Sequence, residues 1–135
     1  MSNIVIVEDS VRVPTGNYEM QCLRVLDRQA AGKKDATKVY DFVDYIYAVP
    51  VKRKLLDGEK TDLVELKISF FKDVRENSPV IAFVKKFGAK AKVGEAIDLG
   101  LPVGQWIKAD VTNPKTQFGT VFSEISLDTV EVIIK

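Results

Sequence analysis

The chain has 135 residues, of which 46 % are hydrophobic and 29 % charged; this fits one domain with its own core and excludes a disordered chain. Its 20 basic and 19 acidic residues leave a net charge of +1, so any contact with nucleic acid must rest on local patches rather than on the field of the whole domain. There is no histidine and a single cysteine, Cys22, which excludes an intrachain disulfide, a zinc site and the Ser–His and Cys–His nucleophile pairs.

The first apolar run, Asn3 to Val7, is short and β-branched, and reads as a strand or edge arm. No basic region precedes it, so MSNIVIVEDS does not read as a signal peptide. Pro14, Thr15 and Gly16 form a turn. From Tyr18 to Leu26 the residues Tyr18, Met20 and Cys22 share one face, and then Leu23 and Val25 take the opposite parity. A phase flip inside a strand predicts a bulge. Ala30 to Lys38 is a polar loop with Gly32, Lys33 and Lys34 at its tip.

Val39 to Val49 is rich in β-branched and aromatic residues and is predicted as a strand, with Pro50 ending it or marking an edge. Lys52, Arg53 and Lys54 follow, then Asp57-Gly58, a hairpin signal. Leu63 to Phe71 alternates cleanly. Val64, Leu66, Ile68 and Phe70 form an apolar face; Glu65, Lys67, Ser69 and Phe71 form the other.

Ser78-Pro79 opens the main helix, with Ser78 as cap and Pro79 at the first position. Val80, Phe83, Val84 and Phe87 fall at helical spacing, and Lys85, Lys86 and Gly88 mark its end. Ala89 to Gly104 is a connection with a helical turn expected at Gly94 to Leu99. Gln105 to Thr112 is a strand with Ile107, Ala109 and Val111 inward and Trp106, Lys108 and Asp110 outward. Asn113-Pro114 turns the chain, and Gly119 to Leu127 and Thr129 to Ile134 complete the strands. Several strands with one helix between the third and fourth suggest a mostly β single domain, 1–135. The expected architecture is a five-to-six-stranded Greek-key barrel of the oligonucleotide/oligosaccharide-binding type, or a β-sandwich with an appended helix.

No residue set reads as catalytic, and no metal or cofactor is expected. Asp41 and Asp44 lie on opposite faces of one strand, Glu8-Asp9 and Asp57/Glu59 lie in loops beside lysines, and GKK at Gly32 to Lys34 lacks the spacing of a phosphate-binding loop. The best constellation is aromatic and basic: Tyr40, Tyr45, Tyr47, Phe71 and Trp106 with Lys33, Lys34, Lys38, Lys52, Arg53 and Lys54. Single-stranded nucleic acid is recognised by this combination, because bases stack on rings and cations track phosphates. The same residues also fit packing and a solvated edge, since aromatics fill strand faces and lysines block edge pairing.

The segments Val13–Met20 (VPTGNYEM), Ala82–Lys90 (AFVKKFGAK), Leu99–Thr112 (LGLPVGQWIKADVT) and Phe118–Ile125 (FGTVFSEI) resemble a family of small phage-encoded proteins that bind single-stranded DNA beside recombination functions. The resemblance implies the barrel fold and a role in viral or phage replication or recombination. The long aromatic second strand and the terminal strand Thr129 to Ile134 depart from it. Pro14, Gly16, Tyr18 and Gly104 match at turn and core positions, so no binding residue is carried over.

The function expected is therefore a non-catalytic single-stranded-DNA-binding protein, with a viral structural or assembly protein as the alternative and a protein-binding adaptor, such as an inhibitor of a host enzyme, as a third. A homo-oligomer, dimer or higher, is expected through the edges Ile4–Val7 and Val130–Ile134. No apolar run approaches the ~20 residues of a membrane span. The lone cysteine fits a reducing cytoplasm, that of the host cell for a viral protein.

Overall fold

A computed structural model describes residues 12–32, 35, 37–73, 75–90, 92–114 and 122–135. The fold is mostly β: β1 (Gly16–Ala31), β2 (Val39–Leu55), β3 (Gly58–Phe71), α1 (Pro79–Lys85), β4 (Trp106–Thr112), β5 (Glu124–Ile125) and β6 (Glu131–Ile133). All pairings are antiparallel and form one six-stranded open sheet in the order β3-β2-β1-β4-β5, with β6 on the same edge of β4 as β5. No second sheet faces it among the described residues, so the sandwich arrangement is not what forms. No ladder joins β3 to β5, yet Cα atoms of these two end strands come within 8 Å, so the sheet curls strongly.

The curl has a local cause on β1. Cys22 pairs with Tyr47 and Arg24 with Ile46, so Leu23 is an extra residue in the ladder. This is the bulge that the phase flip predicts, and it bends the strand where β1 passes from β4 to β2. Before it Met20 and Cys22 point into the core; after it Val25 does.

The core lies on the inner face. Val43, Tyr45, Tyr47, Val49 and Val51 of β2 are buried there with Leu66, Ile68 and Phe70 of β3 and Ile107, Ala109 and Val111 of β4. The short α1 closes one end. Pro79 occupies its first turn, and Val80, Ile81, Phe83 and Val84 are buried. The Phe83 ring centroid is 5.1 Å from those of both Tyr45 and Phe70. Ser78 does not cap the helix with its side chain; its hydroxyl donates to the Asp73 carbonyl instead. Gly88 follows at φ 93°, a left-handed conformation that glycine adopts without a Cβ penalty.

Several element bounds differ from expectation. β2 runs through Pro50, because β1 leaves it after Ala48 and the missing N–H falls on an unpaired edge. The β2–β3 loop is Leu56–Asp57, closed by Leu55 opposite Gly58, one residue earlier than Asp57-Gly58 suggests. The expected helical turn at Gly94 to Leu99 is a set of turns, with Gly94 at φ 89° incompatible with continuing helix. The strand expected from Gly119 reduces to β5, and Leu127–Thr129 is a 3-10 turn; residues 119–121 lie outside the described set. Asn3 to Val7, with Glu8 and Asp9, also lies outside it.

Candidate nucleic-acid interface

The expected aromatic residues separate by strand parity. Tyr45 and Tyr47 share the inner parity of β2 with Val43 and Val49, and both are fully buried. A ring with no exposed surface offers no face to a base, so these two leave the candidate set. Burial raises both phenols, most strongly Tyr47. The Tyr45 hydroxyl donates to the Leu99 carbonyl at 2.6 Å, which ties the α1–β4 connection to the sheet. The Tyr47 hydroxyl lies beside the Cys22 thiol, and among the described residues no group meets it in full hydrogen-bond geometry. Burial also pushes the thiol up to about 11, outweighing the lowering influences of the Arg24 backbone and of Tyr47, so Cys22 is a packed side chain with little thiolate character.

Tyr40 and Phe71 take the outer parity and meet there. Their centroids are 6.0 Å apart with an edge-on angle of 72°. Phe42, which pairs directly with Phe71 across the ladder, completes the cluster at 4.8 Å and 30°. Phe71 is 61 % exposed and Tyr40 41 %. On the β1 side, Arg28 pairs with Phe42 across the ladder and holds its guanidinium carbon 4.5 Å from the ring centroid. The outer face at this end thus carries three rings from β2 and β3 and a cation over one of them.

Gly32 lies against Tyr40 with no room for a side chain. A Cβ there would stand 2.7 Å from Tyr40 Cε2 and 2.8 Å from the Asp35 carbonyl oxygen. The Gly32 N–H donates to the Lys38 carbonyl at 2.8 Å, which closes the loop over the end of the hairpin. Lys33 and Lys34 belong to this loop but lie outside the described residues.

The charges around the rings are mostly matched. Arg28 Nε donates to Asp44 Oδ2 at 2.7 Å and its second nitrogen to Oδ1 at 3.3 Å. Asp44 is buried on the outer face of the central strand. Burial raises its carboxyl, but hydrogen bonds from Arg28 and Ser69 and the charges of Arg28 and Lys67 outweigh that, so it is held below the usual carboxylate range. Lys72 Nζ lies 3.3 Å from Asp27 Oδ1, and Gln29 donates to Asp41 at 2.9 Å. Asp27, Arg28, Asp41, Phe42 and Lys72 line a shallow recess of about 440 Å³ beside the rings.

The other expected residues lie elsewhere. Lys52, Arg53 and Lys54 sit at the far end of the β2–β3 hairpin, roughly 35 Å from Phe42 at the rise of a strand. There Arg53 donates to Asp62 at 2.9 Å and to the Arg12 carbonyl at 3.0 Å, and Lys54 pairs across the ladder with Glu59. Trp106 is half-buried on the outer face of β4, opposite Gln21 and Ile133, with Lys135 Nζ 5.0 Å from its ring centroid. Along β1 it is roughly 20 Å from Arg28. The expected set is therefore three separate groups, of which Tyr40 and Phe71 form the compact one.

Phe42 and Arg28 are missing from the sequence-based set. Phe42 shares the parity of Tyr40, which is a readable signal. Arg28 has no local signal, because its ring and carboxylate partners come from the neighbouring strand.

No family model, no curated protein and no solved structure matches the chain. Among the described residues no helix is long and apolar enough to cross a membrane.

Proposed function

We propose that the protein is a non-catalytic single-stranded-DNA-binding module. Bases stack on the outer cluster of Tyr40, Phe42 and Phe71, and Arg28, Lys72 and the β1–β2 loop lie along the phosphates. The observation that carries this reading is the exposed face of Phe71 within a three-ring cluster on the outer face of the sheet. A ring held by cross-strand packing is a preorganised stacking platform, and stacking of this kind is worth roughly 1–3 kcal/mol per base.

The fold supports the reading as well. A curled antiparallel sheet in the order β3-β2-β1-β4-β5, with its two end strands drawn together and a helix between β3 and β4, has the connectivity expected of a five-stranded oligonucleotide-binding barrel. Together with the resemblance to phage proteins, this connectivity supports a role in replication or recombination of a virus or phage. Because the described cations beside the rings, Arg28 and Lys72, already face carboxylates, binding is dominated by stacking, with moderate affinity and a shallow salt dependence. Self-association is part of the proposal, through the edge of β3, which among the described residues forms a ladder with β2 alone.

The test is fluorescence anisotropy of a labelled 12-nucleotide single strand at low salt, with light scattering for the mass of the free protein. Saturable binding that weakens at least 5-fold in Phe71→Ala supports the proposal. Absence of binding at low salt removes it, and a large closed assembly without binding favours a structural protein instead.

A further inference from the structure

The outer aromatic cluster continues past Phe71 into a cleft of about 640 Å³. The sheet contributes Tyr40 and Phe71, the start of α1 contributes Pro79, and the 3-10 turn contributes Leu127, with Asp73 and Arg75 in the lining. Tyr40, Phe71 and Leu127 are 41 %, 61 % and 39 % exposed, so apolar side chains from three separate elements face solvent at one place.

We propose that this cleft takes one unpaired nucleobase at the end of the strand that stacks on Phe71; the inference rests on the stacking reading above and adds a subsite to it. The size suits a single base with its sugar, since clefts of roughly 300–1,000 Å³ hold small ligands. The lining suits the faces of a base, because Phe71 and Tyr40 offer ring surface and Leu127 and Pro79 an apolar wall.

The polar groups suit its edge. Arg75 Nε donates to both carboxylate oxygens of Asp73 at 2.9 Å, and the Arg75 side chain remains 86 % exposed. Both Asp73 oxygens already accept from the Arg75 backbone and guanidinium, so what the pair presents to the cleft is the remaining N–H donors of an exposed, fixed guanidinium. The Watson–Crick edge of a base offers complementary acceptors only when it is not paired. Duplex DNA keeps that edge occupied and cannot place a single base in the cleft. The cleft therefore confers preference for single strands, beyond the sequence-tolerant stacking on the three rings.

The test compares Leu127→Trp, which fills the cleft, and Arg75→Ala, which removes the guanidinium at an exposed position, with Phe71→Ala. Each is titrated against a labelled 12-nucleotide single strand and the matching duplex, with circular dichroism to confirm folding. Leu127→Trp is expected to weaken single-strand binding roughly 5-fold or more. Arg75→Ala is expected to weaken it about 3-fold or more, and neither changes duplex binding. Should Leu127→Trp not fold, Arg75→Ala decides alone. If both variants bind the single strand like the wild type while Phe71→Ala does not, the cleft is no subsite and the stacking reading stands. If Phe71→Ala also binds like the wild type, both fall. An equal loss for single strand and duplex also overturns the cleft, since it shows no selectivity for an unpaired base.

Discussion

Tyr45 and Tyr47 lie two positions apart on the inner face of β2, both fully buried, and their hydroxyls meet opposite fates. That of Tyr45 donates to the Leu99 carbonyl at 2.6 Å; that of Tyr47 finds no well-formed partner among the described residues, only the weakly polar Cys22 thiol beside it. A buried polar group without a partner keeps its desolvation penalty, whereas a bonded one recovers it. Tyr47→Phe is therefore expected to stabilise the fold by about 1 kcal/mol, and Tyr45→Phe to destabilise it by about the same amount. For a domain of this size each shifts Tm by roughly 3–5 °C, in opposite directions. Urea denaturation of both variants checks this, and a loss of stability in Tyr47→Phe would show that its hydroxyl is satisfied after all.

The acid limb of stability is expected to depend on Asp44. Its carboxyl titrates lower folded than unfolded, where the ordinary value is about 4. Its contribution is thus fully present above that value and is lost as the pH falls through the lower folded-state value. Asp44→Asn flattens the fall of stability between pH 5 and pH 2. Arg28→Ala acts differently: it leaves burial as the main influence on the carboxylate, which then titrates higher. The deficit of that variant against the wild type is largest at neutral pH and narrows in acid. Denaturation midpoints across a pH series measure both effects, and identical profiles for Asp44→Asn and wild type would exclude Asp44 as the source.

The fold was largely readable from parity, because a strand's period of two is local. Leu66, Ile68 and Phe70 fall inward as their alternation requires, and the change of phase after Cys22 marks the bulge that bends β1. The same parity argument, applied to Tyr45 and Tyr47 beside Val43 and Val49, places them in the core. Their aromatic character alone suggests a binding surface, and their parity excludes it. The site itself was less readable, because it is made by register. Phe42 meets Phe71 only because the hairpin turns at Leu56–Asp57, far along both strands. That turn also sets Asp62 and Glu59 against the Lys52–Lys54 run, so a basic stretch in sequence is a cross-paired hairpin end in space.

Lys52 and Lys54 are therefore expected to be dispensable for binding short single strands. At the opposite end of β2 they lie roughly 35 Å along the strand from the rings, beyond the reach of a three-nucleotide ligand seated there. The double variant Lys52→Ala/Lys54→Ala binds such a ligand within 2-fold of the wild type, with the same salt slope, by the one-phosphate-per-cation argument. A drop in that slope would place the hairpin end on the phosphate path and move the site away from Tyr40 and Phe71.

Gly32 gives a test in which loop and ring move together. The left-handed region is not involved, since Gly32 has no positive φ; the constraint is space. A methyl group would press on Tyr40 Cε2 and on the Asp35 carbonyl oxygen, both closer than 3 Å. The ring can swing away, but the backbone oxygen belongs to a loop closed by the Gly32–Lys38 hydrogen bond and must shift with it. Gly32→Ala is expected to cost roughly 1–3 kcal/mol of stability through this overpacking. It also turns Tyr40 away from its edge-on contact with Phe71, so single-strand affinity falls with stability. Comparing Gly32→Ala with Tyr40→Ala separates the two effects. Removing the ring relieves the crowding against Cε2, so the double variant is expected to recover part of the stability while recovering none of the binding. Full recovery of binding in the double variant would mean that Tyr40 contributes no stacking surface.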